Sequence, residues 1–201
     1  MLYKYIFLFF IYAFIGWIIE IILTIVMDHK LINRGFLIGP YLPIYGFGCV
    51  FLVLVLDGLK DNLLLLFIVT FITCCLIEYI TSYVLEKIFK LRWWDYKQYK
   101  FNLNGRICLE TMLPFSIGGV LIIKYITPYL FKVLNKLPLK MVVIFELVLV
   151  IILIIDFLIS ALLIKKLNID STNKDDTEII KSNMKDNIKK DIKKRIKKES
   201  K

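Results

Sequence analysis

Four carboxylates, Glu20, Glu78, Glu110 and Asp156, stand inside stretches of chain that are otherwise apolar enough to cross a membrane. An ionised carboxylate at the centre of a bilayer costs about 2.5 to 3.5 kcal/mol, so such residues line a polar interior, pair with a cation or mark an ion or proton path. The chemistry open to this set is charge handling, namely binding of a cation or proton with neighbouring arginines tuning the balance.

The elements that must carry these residues are helices. A spanning helix needs about 20 mostly apolar residues, and segments at 5–27, 37–56, 63–86, 107–127 and 141–164 meet that need. Hydrophobic residues make up 59% of the 201 and the mean hydropathy is +0.72, more than a soluble core requires. The expected fold is all-α, a polytopic membrane domain over 1–164 with five transmembrane helices, followed by a basic tail over 165–201. The tail leaves no room for a second folded domain, and the chain carries no phosphate-binding loop, so nucleotide-driven work would need a partner chain. The first apolar stretch holds Trp17 and Glu20 and has no small-residue cleavage site before Asp28, which makes it a span rather than a signal peptide.

Cys49, Cys74, Cys75 and Cys108 all fall in spans, without CxxC spacing, and His29 is the single histidine. Neither a disulfide framework nor a Cys/His zinc site is expected, and no cofactor is implied.

Lysine and arginine favour the cytoplasmic side of span ends. The 87–106 connection carries Lys87, Lys90, Arg92, Lys97, Lys100 and Arg106, and lies on the same side as Lys30, Arg34 and the tail. The opposite side holds Lys4, Lys60, Lys132, Lys136 and Lys140. The expected arrangement is a multi-pass protein of the cell membrane, amino terminus outside and carboxyl terminus cytoplasmic. At 1.5 Å per helical residue the four acids then lie about 6 to 14 Å from the cytoplasmic boundary, in one layer of the inner leaflet. Glu146 falls in the other half. Ion pairing supplies the alternative purpose: Arg106 and Glu110 are four apart and can pair along a helix, and Arg34 and Arg92 lie at a depth to reach other acids.

The second span is unusual. It opens Asn33-Arg34-Gly35-Phe36 and continues through Gly39-Pro40 to Pro43-Ile44-Tyr45-Gly46. Two prolines lacking amide donors make a regular helix improbable before about Tyr41, so the helix is expected to begin inside the membrane. From Tyr41 to Leu56 it would cover only about 24 Å of a hydrocarbon core about 30 Å thick, leaving non-helical chain that protein or water must cover. A helix start at that depth offers amide donors and a positive dipole end to an anion or to the acid layer, unless it is only a proline kink in an interfacial loop.

In the third span Glu78, Ser82 and Glu86 repeat every four residues and form a polar stripe. After it come Arg92-Trp93-Trp94-Asp95-Tyr96, suited to the headgroup zone as an anchor, and the polar run Asn102, Asn104, Arg106 and Glu110. Asn104 is expected to cap the fourth helix, with Pro114, Gly118 and Gly119 making that helix easy to kink. The 128–140 connection reads as a short outer loop, and the fifth span is aliphatic apart from Glu146, Asp156 and Ser160.

These stretches carry a family resemblance. Phe14-Ile15-Gly16-Trp17-Ile18-Ile19-Glu20, Asn33-Arg34-Gly35-Phe36 with Gly39-Pro40 and Pro43-Ile44-Tyr45-Gly46, Glu78-Tyr79 with Ser82 and Leu85-Glu86, and Trp93-Trp94-Asp95-Tyr96 with Phe101-Asn102 and Gly105-Arg106-Ile107-Cys108-Leu109 resemble the putative ABC-transporter type IV family. The resemblance covers most of 5–125 and implies a transport role, with a separate ATPase subunit or another membrane protein as partner beside the lipid bilayer itself. It supplies no catalytic or substrate-binding residues.

From Lys165 to Lys201 the tail holds thirteen Lys and Arg against seven Asp and Glu. Ile180, Met184, Ile188, Ile192 and Ile196 recur every four positions, so the tail is either a basic amphipathic helix on anionic lipid or a disordered solubilising segment. It has no aromatic residue to stack on a base, which argues against nucleic acid as a partner.

The candidate substrate- or ion-binding set is therefore Glu20, Arg34, Glu78, Ser82, Glu86, Asp95, Asn102, Asn104, Arg106 and Glu110, with no catalytic triad and no metal-ligating cluster. The leading expectation is a transport component with a cytoplasm-facing acidic site. The alternatives are an intramembrane enzyme acting on a lipid headgroup, for which no catalytic motif is visible, and a scaffold or accessory subunit whose charges pair for assembly.

Overall fold

A computed structural model describes residues 2–29, 35, 37–89 and 92–167. Arg34 and the tail from 168 onward lie outside the described residues. The architecture is all-α with one minimal hairpin. Helix α1 spans Leu2–Asp28, α2 Pro43–Leu56 and α3 Leu63–Phe89. Strands β1 (Asn102–Leu103) and β2 (Ile107–Cys108) precede α4 (Leu109–Leu121), which runs through a π turn at Ile122–Ile126 into α5 (Thr127–Leu134), and α6 spans Leu139–Leu167.

Among the described residues four helices are long and apolar enough to cross a membrane, at Leu2–Val26, Leu63–Phe89, Leu109–Leu134 and Leu139–Leu163. The second apolar segment is shorter, as the Pro-Gly pattern requires: α2 and its terminal turn cover Pro43–Leu59, and Pro43 occupies the first turn, where its missing amide is harmless. The fourteen residues of α2 rise only about 21 Å. Ahead of α2, residues 37–42 are non-helical and partly covered by protein, with Ile38 and Pro40 exposed. Leu37 and Leu42 are buried, and the Leu42 amide donates to the Ala13 carbonyl of α1 at 2.9 Å.

The chain folds back on itself so that the end of α1, residues 37–42, the end of α3, the hairpin and the start of α4 share one end of the bundle, called here the hairpin end. The dry core sits in the other half: Leu8, Tyr12, Leu52, Val53, Leu56, Leu66, Val120 and Ile123 bring α1, α2, α3, α4 and the π turn together. Close approaches there use glycine. A Cβ on Gly46 would meet Phe9, its carbonyl oxygen included, at 2.8 Å, and one on Gly119 would meet the Thr70 methyl at 2.6 Å. The Tyr12 hydroxyl finds the Thr127 hydroxyl at 2.6 Å inside this core, so its burial leaves no orphan.

Two expectations need correction. Residues 128–140 are not an outer loop, because the fourth helix continues to Leu134 and turns only at 135–138. Pro128 has no amide for the ladder, and the helix accommodates it by widening into the π turn, where the Thr127 amide reaches back to Ile122. Nor does Asn104 cap α4. Asn104 and Gly105 have φ of 54° and 67°, the two positive dihedrals of a tight hairpin turn, and the Arg106 amide closes it on the Leu103 carbonyl at 3.0 Å. Helix α4 starts from an extended Cys108 with no side-chain cap.

Helix α6 shows why its few polar residues stand where they do. Val142, Glu146 and Ser160 are buried and Asp156 is half-buried, whereas Ile144, Phe145, Leu147, Ile151, Ile155, Leu158 and Leu162 are exposed. The residues at 142, 146, 156 and 160 fall on one stripe of a 3.6-residue helix. One face of α6 meets protein and the rest is apolar surface suited to lipid.

Candidate functional site

Three polar groups occupy the hairpin end. The first joins α1, α2, α3 and the connection before the hairpin. The Tyr45 hydroxyl, from the first turn of α2, donates to Glu20 of α1 at 2.6 Å. Gly16, one turn before Glu20, makes room for it, since a Cβ there would overlap the Tyr45 ring. Phe115 of α4 packs edge-on against the other side of that ring at 5.7 Å between centroids. Glu78 of α3 is close enough to Glu20 and Tyr45 to interact electrostatically.

Tyr96, from the connection between α3 and the hairpin, lies within electrostatic reach of the same acids. Its phenol is hydrogen-bonded to Thr111 of α4. Burial, and then the charges of Glu78 and Glu20, hold its pKa above the usual phenol range, so its hydroxyl stays protonated and available as a donor. Two carboxyls from different helices thus interact electrostatically with each other and with two phenols, one of them bonded to a threonine.

The second group binds the hairpin to the end of α3. Arg106 forks to Glu86 at 2.7 Å and to the Ser82 hydroxyl at 3.1 Å. Its guanidinium lies over the Tyr79 and Tyr83 rings at 5.8 and 5.4 Å. Arg92 reaches Glu86 at 3.2 Å, the Asn104 carbonyl at 3.2 Å and Asp95 at 3.7 Å. Asp95 also accepts from the Lys97 amide at 2.9 Å, and the Trp94 indole donates to the Arg106 carbonyl at 3.0 Å. Asn102 accepts from the Gly105 amide at 2.9 Å, and the Asn104 side chain donates to the Tyr79 hydroxyl at 2.9 Å.

The third group fixes residues 37–42. Asp156 of α6 accepts from the amides of Ile38 at 3.1 Å and Gly39 at 2.8 Å, from the Tyr41 hydroxyl at 2.7 Å and from Ser160 at 3.0 Å. The amides freed by the broken second span are therefore met by an internal anion.

The structure thus divides the ten residues singled out from the sequence. Glu20 and Glu78 interact electrostatically. Ser82, Glu86, Asp95, Asn102, Asn104 and Arg106 hold the hairpin against α3 and the 92–108 connection. Glu110 is exposed on the first turn of α4, and Arg34 lies outside the described residues. The helical ion pair expected between Arg106 and Glu110 is not formed, because Arg106 precedes the helix and turns to Glu86. Among the described residues no group of three His, Cys, Asp or Glu is placed to hold a metal ion.

Tyr41, Tyr45, Tyr96 and Thr111 escaped the sequence reading. Their signal was local: Gly16 and Glu20 are one turn apart, the spacing of a cleft and its acceptor, and Tyr45 stands where the interrupted span turns helical.

No curated protein and no solved structure matches the chain. Residues 7–161 match the model of a family described as putative ABC-transporter type IV, a stretch that takes in all three polar groups. With most of its length so matched and four helices fit to span a bilayer, this multi-pass membrane protein belongs to the putative ABC-transporter type IV family.

Proposed function

We propose that the protein is a membrane transport component in which Glu20 and Glu78 bind a proton or monovalent cation entering from the cytoplasm. The carrying observation is that the Tyr45 hydroxyl donates to Glu20 while Glu78 of another span lies within electrostatic reach of both and Tyr96 within reach of the two acids. Facing carboxylates repel, and among the described residues no lysine or arginine pairs with either one, so an added positive charge relieves both. Tyr45 and Tyr96 donate or polarise without supplying charge, which keeps the site's net demand for a cation.

The charge bias of the connections supports placing the hairpin end at the cytoplasmic face of the cell membrane with the amino terminus outside. The short α2 and the pinned loop 37–42 support a path that enters the bilayer where helix is missing. A separate ATPase subunit, as the family description suggests, would meet the cytoplasmic face.

The test is flux in proteoliposomes loaded with a pH-sensitive dye under imposed Na⁺ or K⁺ gradients. Glu78→Gln is expected to lose flux while keeping normal membrane yield. Undiminished flux in that variant would remove the acid pair from the mechanism.

A second reading, an accessory subunit, is favoured by one observation: six of the ten candidate residues are committed to holding the hairpin. On that reading Glu86→Gln and Arg106→Ala lower the abundance of a co-isolated membrane partner, and no charge variant yields a stable protein with altered flux.

A further inference from the structure

At the end of the bundle away from the hairpin, Glu146 of α6 is 3% exposed, and its Oε1 has no hydrogen-bond partner among the described residues. It lines a cavity of about 200 Å³ between α1 and α6, walled by Leu2, Tyr3 and Ile6 on one side and Val143, Leu147 and Val150 on the other. Leu2 and Leu147 are 72% and 58% exposed, so the cavity opens sideways toward lipid. Glu146 lies ten residues, about 15 Å of helix, from Asp156 and so belongs to neither the acid pair nor the loop anchor.

An apolar cavity alone would take any hydrocarbon tail. A carboxyl with an unmet oxygen in its wall adds a demand for a hydrogen-bond donor, best a charged one. Among the described residues none of the others in the wall is charged, so none of them meets that demand with a charge or would receive a phosphate. The Tyr3 phenol in the same wall gives a second polar point to a group with several donors.

We propose that the Glu146 cavity binds an ammonium group carried on an apolar body and entering from the outer part of the bilayer. The ammonium seats on the carboxylate and the tail lies along Leu2, Ile6 and Leu147. A free amphiphilic amine and the amine headgroup of a phospholipid share this chemistry.

The test uses the full-length protein in phosphatidylglycerol nanodiscs. Dicyclohexylcarbodiimide adds to a carboxyl in an apolar site to leave an N-acylurea, which mass spectrometry locates at Glu146. Because a primary amine can also capture the activated carboxyl as an amide with release of dicyclohexylurea, labelling is read as loss of the unmodified Glu146 peptide. Octylamine is expected to slow that loss by about tenfold, the ratio that one charge-assisted contact supports, while octanol at the same concentration leaves it nearly unchanged. Equal protection by octanol, or none by octylamine, overturns the proposal, leaving an apolar cavity with a neutral carboxyl. Protection on adding phosphatidylethanolamine assigns the lipid headgroup as the source of the ammonium. Protection by octylamine alone assigns a free amine. Glu146→Gln removes the labelled site, and the comparison of the two probes on the unaltered chain holds even if that variant folds poorly. Glu78→Gln should leave the protection intact, so a failure here is separate from a failure of the acid-pair mechanism.

Discussion

The Asp156 carboxylate accepts the Gly39 amide at 2.8 Å across 117 residues of chain, tying the last span to the break in the second. The same carboxylate takes the Ile38 amide, the Tyr41 hydroxyl and the Ser160 hydroxyl. Asp156→Ala strands these donors at once. At about 1 to 3 kcal/mol for an unsatisfied group, discounted because the site is only part-buried, the loss should be about 2 to 4 kcal/mol. Unfolding in detergent measures it, and hydrogen exchange at Ile38 and Gly39 should accelerate selectively. Ser160→Ala, which removes one donor and leaves the anion in place, should cost about 1 kcal/mol or less.

Tyr45 and Gly16 separate chemistry from packing. Tyr45→Phe keeps the ring against Phe115 and deletes only the bond to Glu20, so it should cost about 1 to 2 kcal/mol of stability and weaken cation or proton binding. Gly16→Ala forces a methyl into the Tyr45 ring, and overpacking of this kind costs about 1 to 3 kcal/mol. Tyr45→Phe removes the hydroxyl outright, whereas Gly16→Ala only shifts it away from Glu20. The check is flux against melting temperature: Tyr45→Phe should lose more flux per degree of melting temperature than Gly16→Ala.

Arg106 is held by shape as well as charge. Its planar fork reaches Glu86 and Ser82 together while lying over two aromatic rings. A lysine keeps the charge but not the fork or the stacking. Arg106→Lys should therefore destabilise by about 1 to 2 kcal/mol, a range already reduced for the 36% exposure of the Glu86 side chain. Adding salt to an unfolding titration should recover little of the difference, because the lost part is geometric.

The hydropathy pattern carried most of the fold, because a span must be apolar over its whole length and this leaves a long uniform trace. Pro40 and Pro43 showed that the second span breaks, since each lacks a donor whatever surrounds it. The end of the fourth helix was not legible: Pro128 lacks a donor as they do, yet a π turn absorbs the loss and the helix continues to Leu134. Asn104-Gly105 suits a tight hairpin turn as well as a helix start, because asparagine both caps helices and tolerates a positive φ. The site was half legible. Depth along each helix showed that the acids share one end, but rotation about the helix axis decides which meet, and weakly amphipathic helices surrounded by lipid leave little trace of rotation. Glu20 and Glu78 therefore converge, while Glu110, at similar depth, faces outward.

Tyr96 gives a pH signature that can be isolated from the other tyrosines. Burial, and then Glu78 and Glu20, raise its pKa above the unfolded value of about 10. The folded state thus keeps its proton where the unfolded state releases it. The corresponding stability is fully present below pH of about 10 and is lost as pH rises toward the folded value, at up to about 1.4 kcal/mol per pH unit. Unfolding in detergent at neutral pH and at successive alkaline values should show this decline in the native protein, and Tyr96→Phe should decline less steeply over the same interval. At neutral pH the variant should already be weaker by about 1 kcal/mol, having lost the bond to Thr111. A parallel decline in the two proteins would mean that Tyr96 titrates as an ordinary exposed phenol, and the connection would then no longer rim the acid pair.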